Sequence, residues 1–355
     1  MSAAAHAPSD AHDLAGPRGD ARDRFFADAA AYDVDMSVTL GSLRLRNPVM
    51  PASGCFGPEL APLVPMREVG ASVTKTVFSG RRGGNPAHRL TETSTGMINS
   101  VGIPSLGTPT FLRDVLPRYR ALGAPVVVSL GGLTVAEYLT VAEELTGAEL
   151  AETEPGGTEI AGTATTEPPR RFEAVEVNVS CPNLEGGGLE IGTDPAAVAE
   201  VVAGVAARVD VPVLVKLTPM VSSIEEVAHA AAEAGAAGLT VANSFPGMVL
   251  DRDTRRPVLG NRVGGVSGPA VKPLALRLAW TAARAVDIPV IGCGGIETAD
   301  DALDFLAAGA AAVQIGTAHF TKPYIMVEII RELAAMTRAA GETRLTDYVQ
   351  GLGRR

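Results

Sequence analysis

Eight short apolar runs recur along this chain, at residues 48–52, 72–76, 125–129, 174–178, 213–217, 238–242, 289–292 and 312–316. Each is long enough for a buried strand and too short for a helix, and most are separated by alanine-rich stretches with apolar residues at helical spacing. Such alternation demands a mostly parallel sheet covered by crossover helices. Eight units predict closure into a (β/α)8 TIM barrel, with an open doubly wound sheet as the alternative. Internal echoes support the count: VDVPVLVKL at 209–217 resembles VDIPVIGCG at 286–294, and AEAGAAGLTVAN at 232–243 resembles LAAGAAAVQIGT at 306–317. Both members of the second pair read as helix end, glycine stop and strand. Ahead of the first run, SVTLGSLRLRNP reads as a short N-terminal β-hairpin turning at Gly41 and Ser42.

Three segments stand outside the alternation. Residues 1–33, rich in Ala, Asp and Pro, read as a flexible, disordered tail without the apolar core of a signal peptide. Residues 149–170 form a low-complexity Gly/Thr/Glu/Pro insert within an otherwise single barrel domain spanning 34–350. Residues 78–106 form a long, polar, glycine-rich connection after the second strand, at the barrel end where active sites are built.

Charge and cysteine usage narrow the functional classes. The net charge is −10 with no Lys/Arg cluster, which argues against nucleic acid. No run approaches the roughly eighteen apolar residues of a membrane span. Three scattered cysteines, Cys55, Cys181 and Cys293, argue against a disulfide framework and for a reducing cytoplasm. The five histidines show no metal-ligand spacing.

Polar residues collect at the carboxyl ends of the expected strands: Ser53, Lys75, Ser129, Asn178, Lys216, Asn243 with Ser244, Gly294 with Gly295, and Gly316 with Thr317. Singly, such residues cap helices or close turns; it is their recurrence that points to a site. Lys75 and Lys216 lie in apolar strands, where an unpaired ammonium is costly. Each should meet either an internal carboxylate or a ligand that carries or gains negative charge. Glycine turns after strands seven and eight predict a phosphate site, and GGVSGP at 264–269 offers a further cradle. Cys181, between Asn178 and Asn183 and ahead of Gly186–Gly188, could serve as nucleophile or base. Only His319 lies near a strand end, which disfavours a thiol hydrolase, and Cys55 and Cys293 read as structural. The glycines at 186–188 read as a movable cover or a plain solvent loop.

The ordered motifs NPVMPASGCFG, GNPAHRLTETSTGMINSVGIPSLG, EVNVSCPN, GTDP, VPVLVKLTP, GLTVANS, GGVSGPAVKP, IPVIGCGGIETADDAL and IGTAHF run from Asn47 to Phe320. Through them the chain resembles class 1 dihydroorotate dehydrogenases, most closely the 1B branch. The resemblance implies an FMN-bound barrel oxidising dihydroorotate to orotate in pyrimidine synthesis, with Cys181 as the base. It implies that Lys75, Asn99, Ser100, Val101, Gly102, Ile103, Asn178, Asn183, Asn243 and Ser244 hold the substrate. FMN would be held by Ser53, Lys75, Thr76, Ser129, Asn178, Lys216, Gly268, Gly294, Gly295, Gly316 and Thr317. It further implies a homodimer core or heterotetramer with an FAD and iron–sulfur subunit that passes electrons to NAD, since three cysteines cannot ligate such a cluster here. A 1A-like homodimer reducing fumarate, or a related FMN-dependent pyrimidine oxidoreductase, is the alternative. Serine-based class 2 membrane enzymes are disfavoured. Ser129 departs from the asparagine common in the family, and Ser244 from a threonine.

Overall fold

A computed structural model describes residues 33–147, 171–180 and 191–352. The insert at 149–170, Cys181, Asn183, the glycines at 186–188 and all but the last residue of the expected tail lie outside them. Eight strands are found where the apolar runs lie: β1 (Val49–Pro51), β2 (Ser72–Val73), β3 (Val126–Leu130), β4 (Ala174–Asn178), β5 (Val213–Lys216), β6 (Gly238–Val241), β7 (Val290–Cys293) and β8 (Ala312–Ile315). Hydrogen-bonded neighbours follow the order β1-β8-β7-β6-β5-β4-β3-β2, and every pair is parallel. Beside β2, the N–H of Gly70 donates to Val49 O of β1 at 2.8 Å, bringing the two outer strands together into a (β/α)8 barrel. The strands are buried along their length, because helices cover them outside and side chains fill them inside.

Strand periodicity stacks the interior in layers. Met50, Val73, Val127, Ala174, Leu214, Ile291 and Ala312 form the lowest. Against them packs the hairpin Val38–Leu40/Leu43–Leu45, whose Leu40, Leu43 and Leu45 close the barrel floor. Each such leucine contributes about 1.5–3 kcal/mol of burial. Two residues further along, Ser129, Glu176, Lys216, Cys293 and Gln314 form a second, polar layer, also buried. The interior thus changes from oil to polar groups within one strand repeat.

The helices begin and end as their sequences dictate. Asp194 caps Pro195–Ala206 by accepting from Ala196 N at 2.9 Å, and Thr298 with Asp301 forms a capping box on Ala299–Ala307. The echo between 232–243 and 306–317 is structural: Gly235 and Gly309 (φ +101° and +106°) end their helices. In both, the glycine N–H bonds three residues back, and the following N–H five back, to Ala231 and Phe305. Among the described residues, no helix is long and apolar enough to cross a membrane.

The connection at 78–106 differs from the expected loop. Leu90–Thr93 and Gly96–Asn99 form a hairpin that joins Gly264–Ser267 and Phe245–Gly247 in a four-stranded antiparallel sheet. Its strands come from the segments after β2 and β6, so it brings Asn99 and Ser244 to the same end of the barrel. Each strand is too short to be visible as a periodic signal, and the pairing that joins the hairpin to Gly264–Ser267 spans a long stretch of chain.

Candidate active site

At the carboxyl end of the strands one cavity collects most of the residues named from sequence. Ser53, Lys75, Thr76, Asn99, Val101, Gly102, Ile103, Asn178, Lys216, Asn243, Ser244, Gly268, Gly294, Gly295, Gly316 and Thr317 all line it. Of the expected residues that the structure describes, two do not. Ser100 is fully buried and accepts from Asn85 Nδ2 at 3.0 Å, bracing the hairpin. Ser129 lies beneath the wall, its hydroxyl 2.9 Å from Thr76 Oγ1.

Hydrogen bonds tie the wall into a chain. Asn178 Nδ2 donates to Thr76 Oγ1 at 3.1 Å, which also meets Ser53 Oγ at 3.3 Å. Asn178 Oδ1 accepts from Ser180 Oγ at 2.8 Å, and Ser180 Oγ accepts from Asn243 Nδ2 at 2.7 Å. Asn243 Oδ1 in turn takes the Ser244 N–H at 2.8 Å. Tyr138, from the helix Val135–Gly147, donates to Asn178 O at 2.8 Å and pins the end of β4. The asparagine amides are therefore oriented before any ligand arrives.

The two lysines differ. Lys75 is partly exposed to the cavity and crosses Gly54, and burial lowers its pKa. Lys216 is buried and donates to Gln314 Oε1 at 2.9 Å and, weakly, to Cys293 Sγ at 3.8 Å. Burial opposes its charge, but the neighbouring Cys293 and Glu176 outweigh that and hold its pKa above the ordinary value. The internal carboxylate expected as one alternative is present, one residue removed: Glu176 accepts from Gln314 Nε2 at 2.6 Å.

Several cavity residues were not anticipated. Cys55 and Cys293, expected to be structural, both line the cavity. Burial pushes the Cys55 thiol up to about 11 and raises that of Cys293. Behind the wall, Ser180, Glu176 and Gln314 were not singled out either, although a carboxylate in the apolar run AVEVN is the same signal that marked Lys216. His319, the one histidine near a strand end, is buried edge-on to Phe56 and is not among the lining residues.

The remaining side suits a phosphate. Among the described residues no acceptor takes the backbone N–H of Gly295, Ile296 or Thr317, all of which line the cavity. A Cβ on Gly295 (φ +73°) would lie 2.7 Å from Lys272 Cβ and 2.9 Å from Gly268 O, so only glycine lets these turns close together. Free N–H groups in a glycine cradle, a fixed buried ammonium and neutral amides across from it fit a phosphorylated, planar, electron-accepting cofactor beside a planar polar substrate.

Comparison with known proteins agrees with this chemistry. The dihydroorotate dehydrogenase family model matches residues 35–153 and 160–337. A dihydroorotate dehydrogenase B (NAD(+)) catalytic subunit from Geotalea uraniireducens is 44% identical over 81% of this chain and 88% of its own length. Its counterparts from Trichlorobacter lovleyi and Desulforudis audaxviator are 45% and 42% identical, each over 89% of this chain and over 98% and 97% of their own lengths.

Proposed function

We propose that this chain, which belongs to the dihydroorotate dehydrogenase family and groups with its 1B branch, oxidises (S)-dihydroorotate to orotate with FMN. The observation that carries the reading is the buried Lys216 ammonium in a cavity whose wall presents the oriented amides of Asn178 and Asn243. Ser53, Thr76, Lys216, Gly268, Gly294, Gly295, Gly316 and Thr317 would hold FMN, with the phosphate on the free N–H groups of the glycine turns. Bound there, FMN would supply the acceptor for the hydride that leaves carbon 6 of the substrate.

The chain's own groups do the rest. Lys75 and the asparagines bind the substrate carboxylate and ring amides, matching donors to acceptors along a planar edge. Cys181, as thiolate, removes the proton from carbon 5 while hydride departs from carbon 6, so the ring loses two hydrogens and gains the double bond. Lys216 holds a fixed positive charge where electron density accumulates. Ser129 acts through Thr76 instead of touching the cofactor.

The relatives' description as B-type, NAD-linked catalytic subunits supports a partner subunit that relays electrons to NAD, in preference to fumarate reduction. On the same reading the chain would act in the cytoplasm, in pyrimidine synthesis.

The test is direct. The purified chain should be yellow and release FMN on denaturation. Cys181→Ala should keep FMN but reduce it with dihydroorotate more slowly by a factor of about 10²–10⁴, the usual weight of a general base. A folded, colourless chain that takes up no FMN would overturn the reading, and near-normal single-turnover reduction by Cys181→Ala would remove the thiol from it.

A further inference from the structure

Beneath the cavity, Lys216 joins a buried polar assembly whose other members do not line the cavity. Glu176, Thr240, Gln314 and Lys216 are 0%, 0%, 1% and 4% exposed. Glu176 Oε2 accepts from Gln314 Nε2 at 2.6 Å and from Thr240 Oγ1 at 2.8 Å, while Gln314 Oε1 accepts from Lys216 Nζ at 2.9 Å. The other carboxylate oxygen, Oε1, has no hydrogen-bond partner among the described residues. Thr240 and Gln314 occupy equivalent places in the two echoed segments, so the repeat itself delivers two donors to one carboxylate.

The orientation of the amide is forced. A carboxylate only accepts and an ammonium only donates, so Gln314 cannot turn over without placing like against like at both ends. It separates the ion pair by one amide. In direct contact, Glu176 would neutralise Lys216 and draw its remaining donors away from the cavity. Without Glu176, the ammonium would be buried without a counter-charge and would tend to shed its proton. With Gln314 between them, Lys216 keeps its charge and still lines the cavity.

We propose that Glu176 and Gln314 are positioning residues that hold Lys216 charged and directed at the cofactor, and thereby set how much more tightly the site holds reduced than oxidised FMN. This rests on the flavin reading above. The pair acts only through Lys216 and touches neither ligand.

The test measures the flavin couple and the lysine separately. Glu176→Gln keeps the shape and removes the charge; Gln314→Met keeps the volume and removes both bonds. In each, oxidised FMN should bind within about threefold of the wild type, while the preference for reduced FMN falls about tenfold. For a two-electron couple that is a midpoint about 30 mV lower. In protein carrying ¹³C-labelled lysine, the Lys216 ε-carbon should titrate at lower pH in both variants, with or without FMN. A wild-type midpoint in either folded variant, or an unmoved Lys216 titration, overturns the inference. Loss of oxidised FMN from both variants overturns it as well, because the pair would then support the site at large and not the charge. A wild-type chain that takes up no FMN defeats the flavin reading instead, and the lysine titration still decides whether the pair holds the charge.

Discussion

Asn243 Nδ2 donates to Ser180 Oγ at 2.7 Å, and the same hydroxyl donates to Asn178 Oδ1 at 2.8 Å. One buried serine, next in sequence to Cys181, therefore sets two amides that arrive from β4 and from the end of β6. Ser180→Ala strips a partner from each and should cost about 1–3 kcal/mol. We expect orotate, titrated by the flavin absorbance change, to bind about tenfold more weakly, with FMN retained. Unchanged orotate affinity would mean that the backbone alone holds the amides.

The cavity thiols should be quiet. Burial raises Cys55 to about 11, so it remains protonated where a free thiol begins to ionise, while burial shields Cys293 from reagents. Peptide mapping after iodoacetamide treatment at pH 8 should find both unmodified in the folded chain. The same shift has a stability sign: a raised acid is neutral in both states at low pH, and the unfolded thiol ionises first as pH rises. Folding stability should therefore fall between pH 9 and about 11, by roughly 1.4 kcal/mol per pH unit at most. Cys55→Ala should flatten that alkaline decline in denaturant titrations.

His319 contributes on the acid side, close to neutral pH. Both ring nitrogens lack partners among the described residues, and burial lowers its pKa. Below pH 6.5 the unfolded imidazole takes a proton that the folded one refuses, so stability is lost as pH falls through that range. His319→Leu should show a shallower loss between pH 7 and 5 in thermal melts. An identical acid profile would mean that the folded imidazole takes up its proton as readily as the unfolded one.

Gly295→Ala should damage the cofactor end without reaching the substrate amides. Its Cβ would lie 2.8 Å from Lys272 N and 2.9 Å from Gly268 O, in a left-handed conformation. The conformation alone costs about 1–2 kcal/mol, and the contacts add to it. FMN content after gel filtration should drop more than tenfold at micromolar protein, with a lower melting temperature.

The strand count, the floor hairpin and the helix stops could be read from residues because they rest on local pattern. Gly235 and Gly309 announce their motif within six residues of chain. Residues at the strand ends were likewise legible, since a barrel gathers all eight ends at one place. What sequence hid was pairing at a distance. Glu176 and Gln314 are 138 positions apart, and neither names the other. Lys216 signalled a buried partner, yet its nearest partner is an amide with the carboxylate behind it. The antiparallel sheet at 90–99 was hidden for a related reason: Gly264–Ser267, the strand that pairs with Gly96–Asn99, belongs to a segment whose glycines read as a turn.

The leucine floor has a consequence for traffic. The barrel interior is packed from that floor up through its second layer, so dihydroorotate and orotate reach the cavity from the carboxyl end of the strands and would use the same amides there. Two such molecules cannot occupy one berth, and turnover becomes an alternation: one guest leaves before the next is seated. We expect orotate to inhibit in competition with dihydroorotate, since the packed floor leaves the strand ends as the place where either can lodge.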